Sequence, residues 1–217
     1  METLKRLLLW KSAKTGSALP AEYQRVDYIV GKGTQSYFDT GIAGGTDGLR
    51  FELCFELSQF SQYRALFGNY VNESTNCWRL ILQSTDNGKY FFTTGNSANT
   101  SKAITAPGGV AIGKKTYAKI DASRAEMMIG GAIETAAGGG TAGTENTSNI
   151  ALGNNSAKNG AGIAPTKFWY FKIWSGDTML RNFVPCYRKS DNKAGMYDTV
   201  GGSFYYSEGA EEFSIPA

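Results

Sequence analysis

From Phe51 to Leu57 the chain reads Phe-Glu-Leu-Cys-Phe-Glu-Leu, with a large apolar residue at every second position. A period of two puts Phe51, Leu53, Phe55 and Leu57 on one face of an extended strand, and Glu52, Cys54 and Glu56 on the other. The pattern predicts a strand with one face on a core and the other in water, so that Glu52 and Glu56 form a solvated acidic face. Past residue 18 no segment carries a convincing helical period. Short apolar runs separated by turn signals follow one another instead, and they predict an antiparallel sandwich.

The remaining strands are expected at 23–30, 34–40, 64–70, 77–83, 89–94, 116–120, 126–129, 133–134, 150–152, 179–184, 195–197 and 203–206. Gly31-Lys-Gly33 and Asp86-Asn87-Gly88 read as turns, the second as a hairpin. Gly130-Gly131 continues an antiparallel meander. Residues 135–162 are dominated by Gly, Ala, Ser, Thr and Asn and read as surface loop around the short strand at 150–152. Lys167 to Trp174 is apolar at nearly every position, which predicts a strand covered on both faces at the centre of a sandwich. With 217 residues the chain can bury roughly 70% of the surface its unfolded form exposes, so one domain needs neither disulfide nor metal.

Residues 1–18 stand apart. Leu4, Leu7 and Leu8 fall at i, i+3 and i+4, and Trp10 extends the apolar run. Small, polar residues follow from Lys11 to Ser17. We expect an arm outside the sandwich that attaches the chain to a partner through Leu4, Leu7, Leu8 and Trp10. A frayed terminus, or a strand pairing with the domain, is the other reading. The run Leu7–Trp10 is too short for the ~7–15 apolar residues of a secretory signal. Nothing approaches the ~20 residues of a membrane span. Synthesis in a cytoplasm without membrane insertion is the expectation.

The composition excludes several chemistries. The chain has no histidine, so Ser-His-Asp and Cys-His mechanisms lack their base. Cys54, Cys77 and Cys186 cannot make a four-thiolate zinc site. Their wide spacing predicts buried free thiols, with one disulfide and a spare as the alternative. The charge of 22 minus 19, or +3, gives no argument for a nucleic-acid partner.

Two stretches carry a resemblance. One is Leu19-Pro-Ala-Glu-Tyr-Gln-Arg-Val-Asp-Tyr-Ile, followed by Gly33-Thr-Gln-Ser-Tyr-Phe-Asp-Thr-Gly41. The other is Phe183-Val-Pro-Cys-Tyr-Arg-Lys-Ser-Asp-Asn192, then Gly195-Met-Tyr-Asp198 and Gly202-Ser-Phe-Tyr. In this order they resemble a concanavalin A-like, laminin-G-type jelly-roll module of the kind found in tailed bacteriophages and gut bacteria. The resemblance brackets residues 19–217. It implies an all-β, two-sheet antiparallel jelly-roll sandwich. The short arm plus one such module, without a signal peptide, looks like a non-enzymatic virion component: a capsid decoration, head-fibre or tail-fibre subunit, bound by its arm to capsid or tail. A homo-oligomer is compatible with a fibre. A bacterial carbohydrate-binding module is the alternative, and a glycoside hydrolase of the same fold is third.

The fold hosts lectins and hydrolases alike, so function is argued from side chains. The hydrolase pattern of this fold, Glu-x-Asp-x-x-Glu on one strand, does not occur here. Glu52 and Glu56 have no Asp between them. A glycan site would pair a stacking ring with planar amides. The rings on offer are Trp78, Trp169, Trp174, Tyr70 and Tyr187, and the amide-rich segments hold Asn69, Asn72, Asn76, Asn96, Asn99 and Asn154-Asn155. Trp169 and Trp174 are expected on opposite faces of their strand, with at least one in the core. Trp78, after a polar run, is expected to be the most exposed. The resemblance allows a calcium ion at the sandwich rim, for which Asp86-Asn87, Asp121 and Asp191-Asn192 are the local carboxylate candidates. Gly138–Gly140 lacks the Gly-Lys-Ser/Thr ending of a phosphate loop.

Overall fold

The computed structural model describes residues 18–33, 35–44, 48–60, 64–72, 76–83, 89–96, 104–105, 109–122, 126–135, 146–154 and 165–216. The arm segment 1–17, the Asp86-Asn87-Gly88 turn, Asn99, Gly138–Gly140 and Asn155 lie outside these.

Among the described residues seventeen strands build two sheets, and no helix occurs. The first strands are β1 (Tyr23–Arg25), β2 (Ile29–Gly31), β3 (Phe38–Ala43), β4 (Leu49–Leu57), β5 (Ala65–Gly68) and β6 (Asn76–Gln83). Next come β7 (Lys89–Asn96), β8 (Ile104–Thr105), β9 (Thr116–Asp121), β10 (Glu126–Ile129), β11 (Ala132–Thr135) and β12 (Asn149–Leu152). The last are β13 (Thr166–Ser175), β14 (Thr178–Arg188), β15 (Lys193–Asp198), β16 (Ser203–Tyr206) and β17 (Phe213–Ser214). The large sheet runs β11-β10-β9-β4-β13-β14-β15-β16, with β1 on β14 and β2 between β13 and β17. The small sheet runs β3-β12-β5-β6-β7-β8. Every strand pair is antiparallel. The fold is the two-sheet jelly-roll sandwich that the resemblance implied.

The core lies between the sheets. Phe51, Leu53, Phe55 and Leu57 of β4 are all within 1% of full burial, as the alternation requires. β13 is central, flanked by β4 and by β14 and β2. Phe171 of β13 sits 5.2 Å from Phe67 of the small sheet, ring centre to ring centre. It also stacks nearly parallel with Phe51 at 6.2 Å and Phe183 at 6.1 Å.

The hairpin joining β10 to β11 shows why glycine stands at 130 and 131. Ile129 pairs with Ala132, leaving two residues for the turn. Both take positive φ, +56° and +88°, the geometry of a tight hairpin whose twist matches the strands.

Several strand boundaries differ from expectation. Residues 23–30 are two short strands, because Val26-Asp27-Tyr28 carries the chain from β14 to β13. The strand expected at 34–40 begins at Phe38 and runs to Ala43. The strand expected to end at Val184 continues through Pro185 to Arg188. Proline is tolerated there because the neighbouring strand changes: β13 pairs as far as Phe183, and β1 pairs from Cys186. The carbonyl of Pro185 accepts a hydrogen bond from Val26 N at 3.1 Å. The missing N–H therefore faces the hand-over, where no ladder bond is lost.

All three cysteines are buried thiols outside any disulfide. Burial pushes the Cys54 thiol up to about 11, against the opposing influence of Lys115 and a hydrogen bond with Tyr117. Burial pushes Cys186 up to about 12. The thiolate is the reactive form. A thiol reagent at pH 8 is therefore expected to read no cysteine in the native protein and three in denaturant. A fast-reacting native thiol would contradict this burial.

Candidate functional site

The outer face of the large sheet gathers the chemistry. Opposite the core-facing residues of β4, the side chains of Arg50, Glu52, Cys54 and Glu56 point outward. Register sets Tyr117, Lys119 and Asp121 of β9 beside Cys54, Glu52 and Arg50. On the other flank, Lys167, Tyr170, Lys172 and Trp174 of β13 stand beside Glu56, Cys54, Glu52 and Arg50.

A β-bulge decides which aromatic rings join this face. Phe168 pairs with Phe55 and Tyr170 with Cys54, so Trp169 is an extra residue in β13. A bulge places two residues opposite one. Phe168, Phe171 and Ile173 face the core, while Trp169, Tyr170, Lys172 and Trp174 do not. Trp169 and Trp174 therefore share the outer face, contrary to the expectation from strict alternation.

Glu52 departs most from the sequence reading. It is not solvated: its side chain is 4% exposed, with Lys119 Nζ at 3.2 Å and Lys172 Nζ at 3.3 Å. Lys172 also lies over the rings of Tyr170 (4.8 Å) and Trp174 (6.0 Å). Glu56 is half-buried and bonded by Lys167 Nζ at 2.7 Å. The two carboxylates of β4 are thus engaged in ion pairs across the sheet.

Beyond Glu56 the face becomes aromatic and basic. Lys115 Nζ sits 4.6 Å above the Trp169 ring and 5.9 Å from the centre of Tyr117. Tyr28 packs on Trp169 at 5.1 Å, and Lys167 lies 5.1 Å over Tyr28. Tyr117 is 50% exposed. Apart from Trp169, these residues escape sequence reasoning, because 28, 115, 117 and 169 belong to separate strands and turns. The dibasic Lys114-Lys115 two positions before Tyr117 was the available signal.

The other expected ligand residues are scattered. Trp78 lies within β6, not in a loop, and its ring is buried in the main core at 7% exposure. Two residues into the strand, the ring falls on the inward side with Leu80 and Leu82. Asn69 is fully buried and accepts a hydrogen bond from Trp78 N at 2.6 Å, so it holds the backbone. Trp174 is buried at 5% exposure on the outer face. Tyr70 is half-buried beneath the Arg79 guanidinium, 4.1 Å from its ring centre. Asn72 is exposed beyond it. Asn76 opens β6. Tyr187 is half-buried on β14, paired with Gln24 and Ala194. Asn69, Tyr70 and Asn72 thus follow β5, and Asn76 and Trp78 belong to β6, all at the small sheet, whereas Trp174 and Tyr187 belong to β13 and β14 of the large sheet.

Of the calcium candidates, Asp86-Asn87 lie outside the described residues, and Asp121 and Asp191 do not converge. Asp191 is bonded by Arg188 at 2.6 Å and by the Lys193 amide at 3.2 Å, which holds its carboxyl down at about 2. Asp121 is buried on β9, remote in register from Asp191. Among the described residues no three Asp, Glu or Cys side chains are grouped as a metal would need, and we derive no chemistry through a metal.

No family model matches the chain. No curated protein matches it. Among solved structures it is similar to mouse laminin α1 chain domains LG4-5, at 13% identity and a TM-score of 0.47. That match covers 77% of this chain and 47% of the laminin chain, so this chain spans about half the length of that relative. It is also similar to a native heptameric SAP-like pentraxin from Limulus polyphemus, at 10% identity and a TM-score of 0.48, over 91% of this chain and 97% of the pentraxin.

Proposed function

We propose that this chain is a non-enzymatic structural protein of a tailed-bacteriophage virion, made in the host cytoplasm. It serves as a capsid decoration, head-fibre or tail-fibre subunit, with the arm at 1–18 bound to capsid or tail. The sandwich is displayed outward, where it adheres to glycans of a host cell or of mucus. Many copies on one particle turn weak single sites into strong adhesion.

The observation that supports the arm is its root. Leu19 and Tyr23 pack with Val184, Cys186, Tyr197 and Phe204 in a small cluster separate from the main core. Tyr23 lies 5.1 Å from Tyr197 and 5.0 Å from Phe204. Lys189 donates to the carbonyl of Glu22 through its amide at 2.9 Å, and to that of Ala21 through Nζ at 2.7 Å. The segment after residue 18 is thus fixed to the large sheet at a defined point. The ion pairs of Glu52 and Glu56 favour a binding role over glycoside hydrolysis, which needs one carboxylic acid and one free carboxylate flanking the sugar.

Deleting residues 1–18 is expected to leave a folded domain that no longer assembles on particles, read by mass spectrometry of purified virions. Normal incorporation of the truncated chain would overturn the arm. The exposed aromatic and basic face favours a second reading, a free carbohydrate-binding module. That reading predicts glycan binding by the isolated chain and its absence from particles.

A further inference from the structure

Two of the cation-over-ring clusters on the large sheet differ in how their charge is balanced. In one, Arg188 sits 5.7 Å over Phe204 and Lys193 sits 4.4 Å over Tyr206. Both cations there have carboxylates of their own: Arg188 binds Asp191 at 2.6 Å, and Lys193 binds Glu212 at 3.2 Å. The other cluster is the Tyr28–Lys115–Tyr117–Trp169 face. Among the described residues, neither Lys114 nor Lys115 has a carboxylate within ion-pair distance. Lys167 is matched by Glu56. Among the described residues Glu56 is thus engaged by Lys167, and the charges of Lys115 and of the exposed Lys114 before it are not offset by an ion pair. The Cys54 thiol beneath stays protonated at neutral pH and does not offset them.

Lys115 is oriented without being neutralised. A cation over a ring at an exposed site gains only about 0.5–1 kcal/mol. The ring engages its charge and leaves ammonium N–H donors unused. An ionised acceptor arriving from solution makes a stronger, charge-assisted hydrogen bond with it. Beside it the half-exposed ring of Tyr117 and the edge of Trp169 offer apolar surface to the C–H face of a sugar. Ile112, three residues before Lys115, is also exposed, at 41%.

We propose that Lys115, Tyr117, Trp169 and Tyr28 form a binding face for an acidic polysaccharide, one that carries a carboxylate on its sugar rings. Lys115 takes a carboxylate, and Tyr117 and Trp169 take the ring faces. This deepens the glycan-adhesion part of the proposed function and is independent of where on a particle the chain sits. A polymer fits better than a single sugar, because its successive rings can cover both Tyr117 and Trp169, which Lys115 joins.

The test is affinity electrophoresis of the full chain through gels containing alginate, neutral dextran or single-stranded DNA. Alginate should retard the protein, less so as salt is raised. Lys115→Gln should weaken that retardation about tenfold, equivalent to ~1.4 kcal/mol, and Trp169→Ala should also weaken it. Because Trp169→Ala can disturb the bulge, the exposed Lys115→Gln carries the decision. Lys32→Gln removes one exposed charge elsewhere and should change nothing. Failure of alginate to retard the chain, an unchanged Lys115→Gln, an equal loss in Lys32→Gln, or equal retardation by DNA would each overturn the proposal. Retardation by dextran alone would retain glycan adhesion and reject the acidic ligand. Incorporation of Lys115→Gln into particles reads the virion assignment separately.

Discussion

Glu52→Ala is expected to destabilise the protein by about 3–5 kcal/mol, the cost of removing one member of a buried ion pair and leaving its partner uncompensated. Lys172 is the partner that suffers most, because its side chain is only 10% exposed. Lys119, at 21%, can extend toward water. Replacing all three residues together should behave differently. Glu52→Leu with Lys119→Met and Lys172→Met removes three desolvated charges at once, and such replacements are often neutral or stabilising. Urea unfolding of the single and triple variants separates the two cases. A single variant that loses less than about 1 kcal/mol would mean that water reaches these groups.

Phe171→Ala should lose a similar amount, about 3–5 kcal/mol, for a different reason. Its ring is fully buried and touches both sheets, lying between Phe51 and Phe183 laterally and against Phe67 across the core. Deleting it opens a cavity that β-strands tied on both sides cannot close. Phe171→Leu keeps much of the volume and should cost far less. Against a total stability of about 5–15 kcal/mol, the alanine variant should unfold at clearly lower urea concentration, with a slope close to wild type. An unchanged midpoint would contradict the central place given to β13.

Period-two patterning placed the strands because burial of one face is a local property of the sequence. The alternation of Phe51–Leu57 and the apolar run at 167–174 both became central strands of the large sheet. The outward face is another matter. Glu52 is buried because Lys119 and Lys172 arrive from strands far along the chain, and no local pattern signals that pairing. Trp169 faces outward because one extra residue breaks the alternation, and a bulge has no period of its own. Trp78 was misread for the opposite reason. The polar residues before it suggested a loop, but Asn76 already opens β6 and the Trp78 ring points into the core. The aromatic and basic face is assembled from Tyr28, Lys115, Tyr117 and Trp169, whose closeness follows from strand order alone.

The placement of β1 also fixes how the domain would bear load. In the proposed virion, tension enters at residue 18 and leaves through whatever the outer face holds. β1 is paired with β14 over Tyr23–Arg25, and β14 is an interior strand clasped by β13 and β15. A pull along the strand axis stretches those pairs together, in shear, and passes into the middle of the sheet. A pull across the axis opens them one after another, like a zipper. β17 closes on β2 at the other end of the chain and lies outside that path. The same anchor is therefore strong in one direction and weak in another, so a particle dragged by flow would hold best when the strands align with the drag.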